Sequence, residues 1–436
     1  MKIYKITEAS EYLGVSINTL KTLANMGIPR HRRQQVRRRP TQQYRHGGAV
    51  KKVSYTETIY PAAFIAEHGL VFCKYCSYER IAGGVSCRDF AAYRCYEETM
   101  QPLLARKNMK TRAPRNRTLT CTAEEIATLY ANTLQLSHTA TVEAVSDRVI
   151  HQDFWDAWPF LPRSFVDLLI LDPPYNLTKN FNGRVFRAQE AESYTSWFES
   201  ILLAVMPLLR PRASVYVCSD WRTSTLVFPV LDRHLRVRNR ITWEREKGRG
   251  AKANWKNNSE DIWFCTRGDD YTFNVDAVKL KRKVIAPYRH EDGKPKDWDE
   301  SANGYYRLTH PSNLWSDITI PFWTMPENTD HPTQKPEKLI AKLVLASSLP
   351  GDLVFDPFLG SGTTAVVATK LGRRFCGIEM DKEYCCWALK RLQAAKSDTS
   401  IQGYSDGVFW ERNTLSEQKT SPAKPANGET MDLFNV

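Results

Sequence analysis

Residues 351–379 constrain the fold more than any other stretch of this chain. Gly351 and Asp352 turn the chain into a strand over 353–356, three apolar residues and Asp356. A short loop then carries Pro357, Gly360 and Gly362, a helix is expected over 363–371, and a second strand over 374–378 is closed by Glu379. Strand, glycine loop, helix, strand and acid in that order make a βαβ unit, whose strands must be parallel and whose crossover helix packs on the sheet. Glycines let backbone approach a ligand closely, and the helix N-terminus favours an anionic group there. The expected fold class is α/β, a doubly wound Rossmann-like sheet that binds ligands beyond the carboxyl ends of its strands.

A second stretch, LLILDPPYNL over 168–177, ends on the same kind of edge. Four apolar residues read as a buried parallel strand, apolar on both faces. Two prolines stop it, because they cannot continue a central strand. Asp172, Pro173, Pro174 and Tyr175 are thereby set at a strand's carboxyl end. They suit the methylation of an exocyclic base amine, a weak nucleophile whose lone pair is delocalised into the ring. Asp172 accepts one amine hydrogen bond, and the carbonyl of Pro173, aimed by Pro174, accepts the other. Tyr175 offers a face on which an extruded base stacks. The acid orients the amine and stabilises developing positive charge; a strong base is not needed.

The remaining chain adds regions around these two stretches. Its 436 residues suffice for two or three domains, and no run of eighteen apolar residues suggests a membrane span. Ten cysteines without an apolar leader suggest reduced thiols in a cytoplasmic protein. Residues 1–117 hold 22 Lys and Arg against 8 Asp and Glu, a net of +14, whereas the rest hold 39 against 40. The basic character belongs to the N-terminal third, as in an appended nucleic-acid-binding region, although solvated surface is the alternative. Residues 5–29 read as two short helices, with Thr7 and Ser16 as caps and Gly14 between them. Residues 30–52 carry nine Lys and Arg and no acid, which suits an arm over phosphates. Cys73, Cys76, Cys87 and Cys95 could supply four thiolates to a structural zinc, or remain unliganded in a small helical domain. Residues 176–193 are expected as a mobile loop beside the target base, and 247–258 as a loop near DNA.

The stretch DPPY resembles motif IV of the DNA amino-methyltransferases, closer to the N6-adenine type than to the N4-cytosine type. HPTQKP at 331–336, DPFLGSG at 356–362 and GIEMD at 377–381 resemble motifs X, I and II of that family. The catalytic motif precedes the cofactor loop, with a recognition-sized interval between, which is the permuted, beta-type order. The resemblance covers about residues 115–395 by this spacing. It implies a methyltransferase sheet and S-adenosylmethionine as cofactor. Asp153, Asp172, Lys335, Asp356, Phe358, Gly360, Ser361, Gly362, Thr363 and Glu379 would form its site, with Asp153 near the adenine of the methyl donor and Glu379 on the ribose. Residues 5–29 resemble the helix-turn-helix of excisionase and MerR-type proteins.

The expected organisation is a helix-turn-helix at 1–29 and a basic, Cys-containing region and linker at 30–117, together small and mainly helical. A catalytic half follows at 118–266, a target-recognition insert at 267–330, a cofactor-binding half at 331–396 and a disordered tail at 397–436. Lys279, Lys281, Arg282, Lys283 and Arg289 are candidate DNA contacts in the insert. The expected activity is site-specific adenine-N6 methylation of double-stranded DNA, without a membrane. Cytosine-N4 methylation and a catalytically inactive DNA-binding regulator are the alternatives. Any restriction activity would need a cognate endonuclease on another chain.

Overall fold

The computed structural model describes residues 63–66, 69–72, 80–81, 84–85, 112–245, 254–285, 288–301, 304–414 and 418. The helix-turn-helix at 1–29 and Cys73, Cys76, Cys87 and Cys95 lie outside these described residues. The chain divides into two units, Met1–Ala113 and Pro114–Val436. In the first, the described residues form two short antiparallel pairs, Ala63–Ala66 with Gly69–Phe72 and Arg80–Ile81 with Gly84–Val85. A mainly helical first region was expected, and most of it lies outside the described residues; the four described runs are short strands, which glycines and apolar residues favour there.

The second unit is built on an eight-stranded sheet. Its strands are β1 (Arg148–His151), β2 (Val166–Leu171), β3 (Leu209–Ser219), β4 (Arg236–Glu244), β5 (Ser259–Thr266), β6 (Leu314–Trp315), β7 (Leu353–Asp356) and β8 (Arg374–Glu379). Their spatial order is β6-β4-β5-β3-β2-β7-β8-β1. Only β5 runs against its neighbours in this sheet; the other pairings are parallel. From β2 the chain moves outward to β3, and from β7 it moves the opposite way to β8. The direction of winding therefore switches between β2 and β7, and a crevice opens beyond their carboxyl ends.

The expected two-faced burial of β2 holds. Leu168 and Ile170 enter one apolar cluster, and Leu169 and Leu171 the other. All four are at most 1% exposed, and burial of each such side chain is worth about 1.5–3 kcal/mol. On one face lie α4 (Glu337–Ser347), α5 (Thr363–Lys370) and α6 (Lys382–Ala395), which follows α1 (Ala123–Tyr130) in the chain. On the other lie α2 (Ala191–Val205) and α3 (Trp221–His234). Thr122 caps α1 in a capping box with Glu125, and Asp381 caps α6 through the amides of Glu383 and Tyr384.

Two expectations of disorder are corrected. Within 176–193, Lys179–Phe181 pairs with Arg184–Phe186 as a hairpin. Asn182 and Gly183 turn it with φ of +48° and +92°, and Asn-Gly suits such a turn. The tail expected from 397 is ordered at least to 414. Tyr404–Ser405 and Val408–Trp410 join a second sheet with Leu280–Lys283, Gly304–Thr309 and Asp299–Ser301. Phe409 and Trp410 are buried, so two aromatics in a polar sequence anchor the segment. This sheet also engages most of the basic residues proposed for DNA. Lys279 pairs with Asp276, Arg282 with Glu411, Lys281 lies over Trp410, and Arg289 lies over Trp298.

Candidate active site

The carboxyl ends of β1, β2, β3, β7 and β8 face one cavity of ≈ 370 Å³. Asp172, Pro173, Pro174 and Tyr175 line it from β2. Phe358, Gly360 and Glu379 line it from the glycine loop and β8, and Asp153 from beyond β1. Two motifs 163 residues apart in the chain meet directly: the Lys335 ammonium donates to both oxygens of Asp172, at 2.8 and 2.7 Å.

Lys335 and Asp172 belong to a larger network. The Tyr175 hydroxyl lies 3.1 Å from Asp172 Oδ1 and 3.0 Å from Glu260 Oε2, with its single proton between them. It accepts from Lys335 Nζ at 3.0 Å. Glu260 Oε2 is also 3.4 Å from Lys335 Nζ, and its other oxygen takes Arg245 Nη1. Burial works against the charges of both Lys335 and Glu260. For Lys335, Asp172 and then Glu260 overcome burial and hold the ammonium more firmly protonated than an ordinary lysine. For Glu260, Lys335 and Arg245 overcome it and hold the carboxyl below its ordinary range. Burial, then Asp172 and Glu260, push the Tyr175 hydroxyl up, so it stays neutral and able to donate.

The turn itself is braced from behind. Tyr194 of α2 donates to the carbonyl of Pro174 at 2.9 Å, and the amide of Asn176 donates to Thr223 of α3.

The cofactor residues inferred from sequence divide into two sets. Phe358, Gly360 and Glu379 face the cavity. Glu379 accepts the amides of Gly360 and Asp381, both at 2.8 Å, and burial raises its carboxyl to about 7. Gly360 has φ +55°, and a Cβ there would stand 3.0 Å from His331 Nε2. Asp356, Ser361, Gly362 and Thr363 shape the loop from beneath. Asp356 accepts Phe358 N and Thr364 Oγ1, and burial raises it to about 7. A Cβ on Gly362 would lie 2.5 Å from Ala388 Cβ of α6, so this glycine is required by packing. Thr363 Oγ1 donates to the backbone of Lys335, and Arg391 donates to Ser361 O. Asp153 caps the single-turn helix Phe154–Ala157. The 179–186 hairpin closes one wall: Asn182 donates to Asp381 and Glu383, and Lys179 to Pro332 O.

Glu260, Arg245, Tyr194 and His331 were not assigned from sequence. Glu260 carried a weak signal, as an acid at the head of the apolar strand 260–266. His331 stood within HPTQKP; burial pushes its imidazole down to about 3, so it is neutral. Among the described residues no group of three or more His, Cys, Asp or Glu is placed to hold a metal, and no helix is long and apolar enough to cross a membrane.

The glycine loop, a buried acid at the next strand end and an open cavity between them fit an adenosyl methyl donor. Sequence relatives carry the same chemistry in their names. DNA adenine methyltransferase YhdJ of Escherichia coli (strain K12) is 34% identical over 285 residues, 62% of this chain and 92% of the relative. Type II methyltransferase M.BglII of Bacillus subtilis is 32% identical over 238 residues, 51% of this chain and 62% of the relative. The solved M1.HpyAVI–SAM complex is 22% identical, with a TM-score of 0.38 over 56% of this chain and 98% of its own. Residues 166–390 match the DNA methylase family, a span that opens in β2 and closes in α6 and so contains both turns of the cavity; the chain belongs to that family.

Proposed function

We propose that this chain methylates the N6 amine of adenine at specific sites in double-stranded DNA, with S-adenosylmethionine as the methyl donor. One observation carries the reading: the Asp172–Tyr175 turn and the glycine loop with Glu379 line a single cavity at the winding switch of the sheet. The bound cofactor supplies an electrophilic methyl group. Phe358, Gly360 and Glu379 hold it, Asp153 lies toward its adenine end, and Asp356, Ser361, Gly362 and Thr363 keep the loop in shape. Asp172 and the Pro173 carbonyl accept the two hydrogens of the target amine, and the Tyr175 ring stacks on the extruded base. Catalysis is then positioning and polarisation, with no covalent enzyme intermediate. Asp172 suits an adenine amine, and YhdJ, 92% of whose length this chain matches, is named a DNA adenine methyltransferase.

The catalytic turn comes before the glycine loop in the chain, so we assign the permuted, beta-type order. Residues 267–330 serve as the target-recognition insert. The helix-turn-helix at 1–29 and the basic region to 117 add DNA affinity through phosphates. The cysteine group at 73–95 holds a structural zinc, the protein works in the cytoplasm, and a cognate endonuclease is a separate chain; the type II names of relatives favour that last assignment. Methylation-aware sequencing of DNA from cells expressing the protein tests the main reading. N6-methyladenine at one defined site is the expected result. N4-methylcytosine would overturn the base assignment, and unmodified DNA with no S-adenosylmethionine binding would leave a DNA-binding regulator.

A further inference from the structure

The network around Asp172 presents a difficulty for the reaction. Its Oδ2 is taken by Lys335, and its Oδ1 by both Lys335 and Tyr175. Oδ2 keeps a second lone pair, but a target amine would have to share that oxygen with the ammonium. An ammonium seated on Asp172 also opposes the positive charge that develops on the amine as its bond to carbon forms. In this arrangement the acid is neutralised before its substrate arrives.

A second seat for the ammonium stands beside the first. Glu260 Oε2 is 3.4 Å from Lys335 Nζ, against 2.7 Å for the closer Asp172 oxygen. Glu260 is 5% exposed, and Arg245 fixes its other oxygen. It can therefore receive a cation without moving. Tyr175 is bonded to Asp172, Glu260 and Lys335 together, so its hydroxyl can keep a partner whichever carboxylate the lysine takes. The charges allow the exchange: two cations face two carboxylates in either arrangement, and Asp172, when it loses the ammonium, keeps the Tyr175 hydroxyl and gains the amine as donors.

We propose that Glu260 is a positioning residue of the methyl-transfer site: it receives the Lys335 ammonium when the target base enters, and so frees Asp172 to accept the amine. The inference rests on the function proposed above. Glu260 touches no reacting atom in this scheme and acts through Lys335. Its effect is read in turnover, because its own partners are Tyr175, Lys335 and Arg245 and not the glycine loop or Glu379.

Steady-state kinetics on oligonucleotide duplexes containing the mapped site, with S-adenosylmethionine affinity measured by calorimetry, test the exchange. Glu260→Gln keeps the shape and removes the charge. It should lower kcat by about 100-fold, with KM for DNA and cofactor affinity near wild type. Glu260→Asp should restore part of kcat. The decisive variant is the double one. Lys335→Met in the Glu260→Gln background removes the cation that would stay on Asp172, and kcat should rise about 10-fold above Glu260→Gln alone. A purely structural Glu260 would give additive losses instead. Wild-type kcat in Glu260→Gln, or a double variant no faster than the single, overturns the proposal. Failure of the underlying functional reading would appear differently, as a wild-type protein that methylates no adenine at all.

Discussion

At the level of single residues, most of the site's behaviour follows from carboxyl groups held in unlike surroundings. Asp172 sits against a lysine, so its removal should abolish the orientation of the amine. Asp172→Ala should cut methyl transfer at least ~100-fold while calorimetry finds cofactor affinity preserved; normal turnover would refute its role. Tyr175 was expected to offer its ring face to an extruded base. Its hydroxyl proves to join Asp172, Glu260 and Lys335. Tyr175→Phe should therefore leave KM for DNA near wild type and lower kcat, whereas Tyr175→Ala should also weaken DNA handling by the ~1–3 kcal/mol of a lost stack. Equal KM effects in the two variants would remove stacking from the account. Asp356 makes a prediction about stability. Burial raises its folded carboxyl to about 7, above the ~3.9 of an unfolded chain. The folded state thus binds this proton more tightly, and stability is lost as pH rises from about 4 through about 7. Asp356→Asn should flatten that slope in thermal melts between pH 5 and 8.

At the level of elements, the glycine loop is defined by what a side chain would strike. Gly362 has φ +85°, and an added Cβ would meet the Cβ of Ala388 at 2.5 Å and its backbone Cα at 2.8 Å. Gly362→Ala should cost roughly 2–4 kcal/mol, from left-handed strain and overpacking against α6. Chemical denaturation would reveal it, and an unchanged midpoint would show that α6 can shift away. Gly360 differs, because its added atom would meet only a ring edge of His331 at the cavity wall. These roles are separable although the residues are two apart, and sequence alone gave both glycines one role, approach to a ligand.

At the level of the whole molecule, the two ends of the chain make opposite predictions. The first unit closes at Ala113, and residues 1–113 hold 20 Lys and Arg against 8 Asp and Glu, a net of +12. A protein starting at Arg115 should keep cofactor binding and its methylated site, but bind DNA more weakly and with a shallower salt dependence. Unchanged affinity across a salt titration would show that the basic region serves some other partner. The C-terminal segment, by contrast, belongs to the second unit. Ending the chain at Lys396 would remove Phe409 and Trp410, both buried, where loss of such a side chain costs ~3–5 kcal/mol. Thermal denaturation should show marked destabilisation for that truncation, and an unchanged midpoint would show that the segment does not anchor the unit.

The local parts of the site were legible because local rules write them. Apolar runs ended by prolines placed β2 and β7, the order strand, glycine loop, helix placed β8, and the acid at each strand end followed from chain order. The doubly wound pattern then set Asp172 and Gly360 on one edge. Residues brought in by pairing were not legible. Glu260 meets Tyr175 across 85 residues because β5 pairs antiparallel with β3, setting Asp261 against Ser219. A shift of one residue would turn Glu260 to the other face of the sheet. The order of Val408–Trp410 likewise came from a parallel pairing with Leu280–Lys283, more than a hundred residues away in the chain. Sequence determined which groups can do chemistry, since strand ends and glycine turns are local. Only the tertiary structure decided which charges share a proton or an ammonium, since strand register is set by burial over the whole sheet.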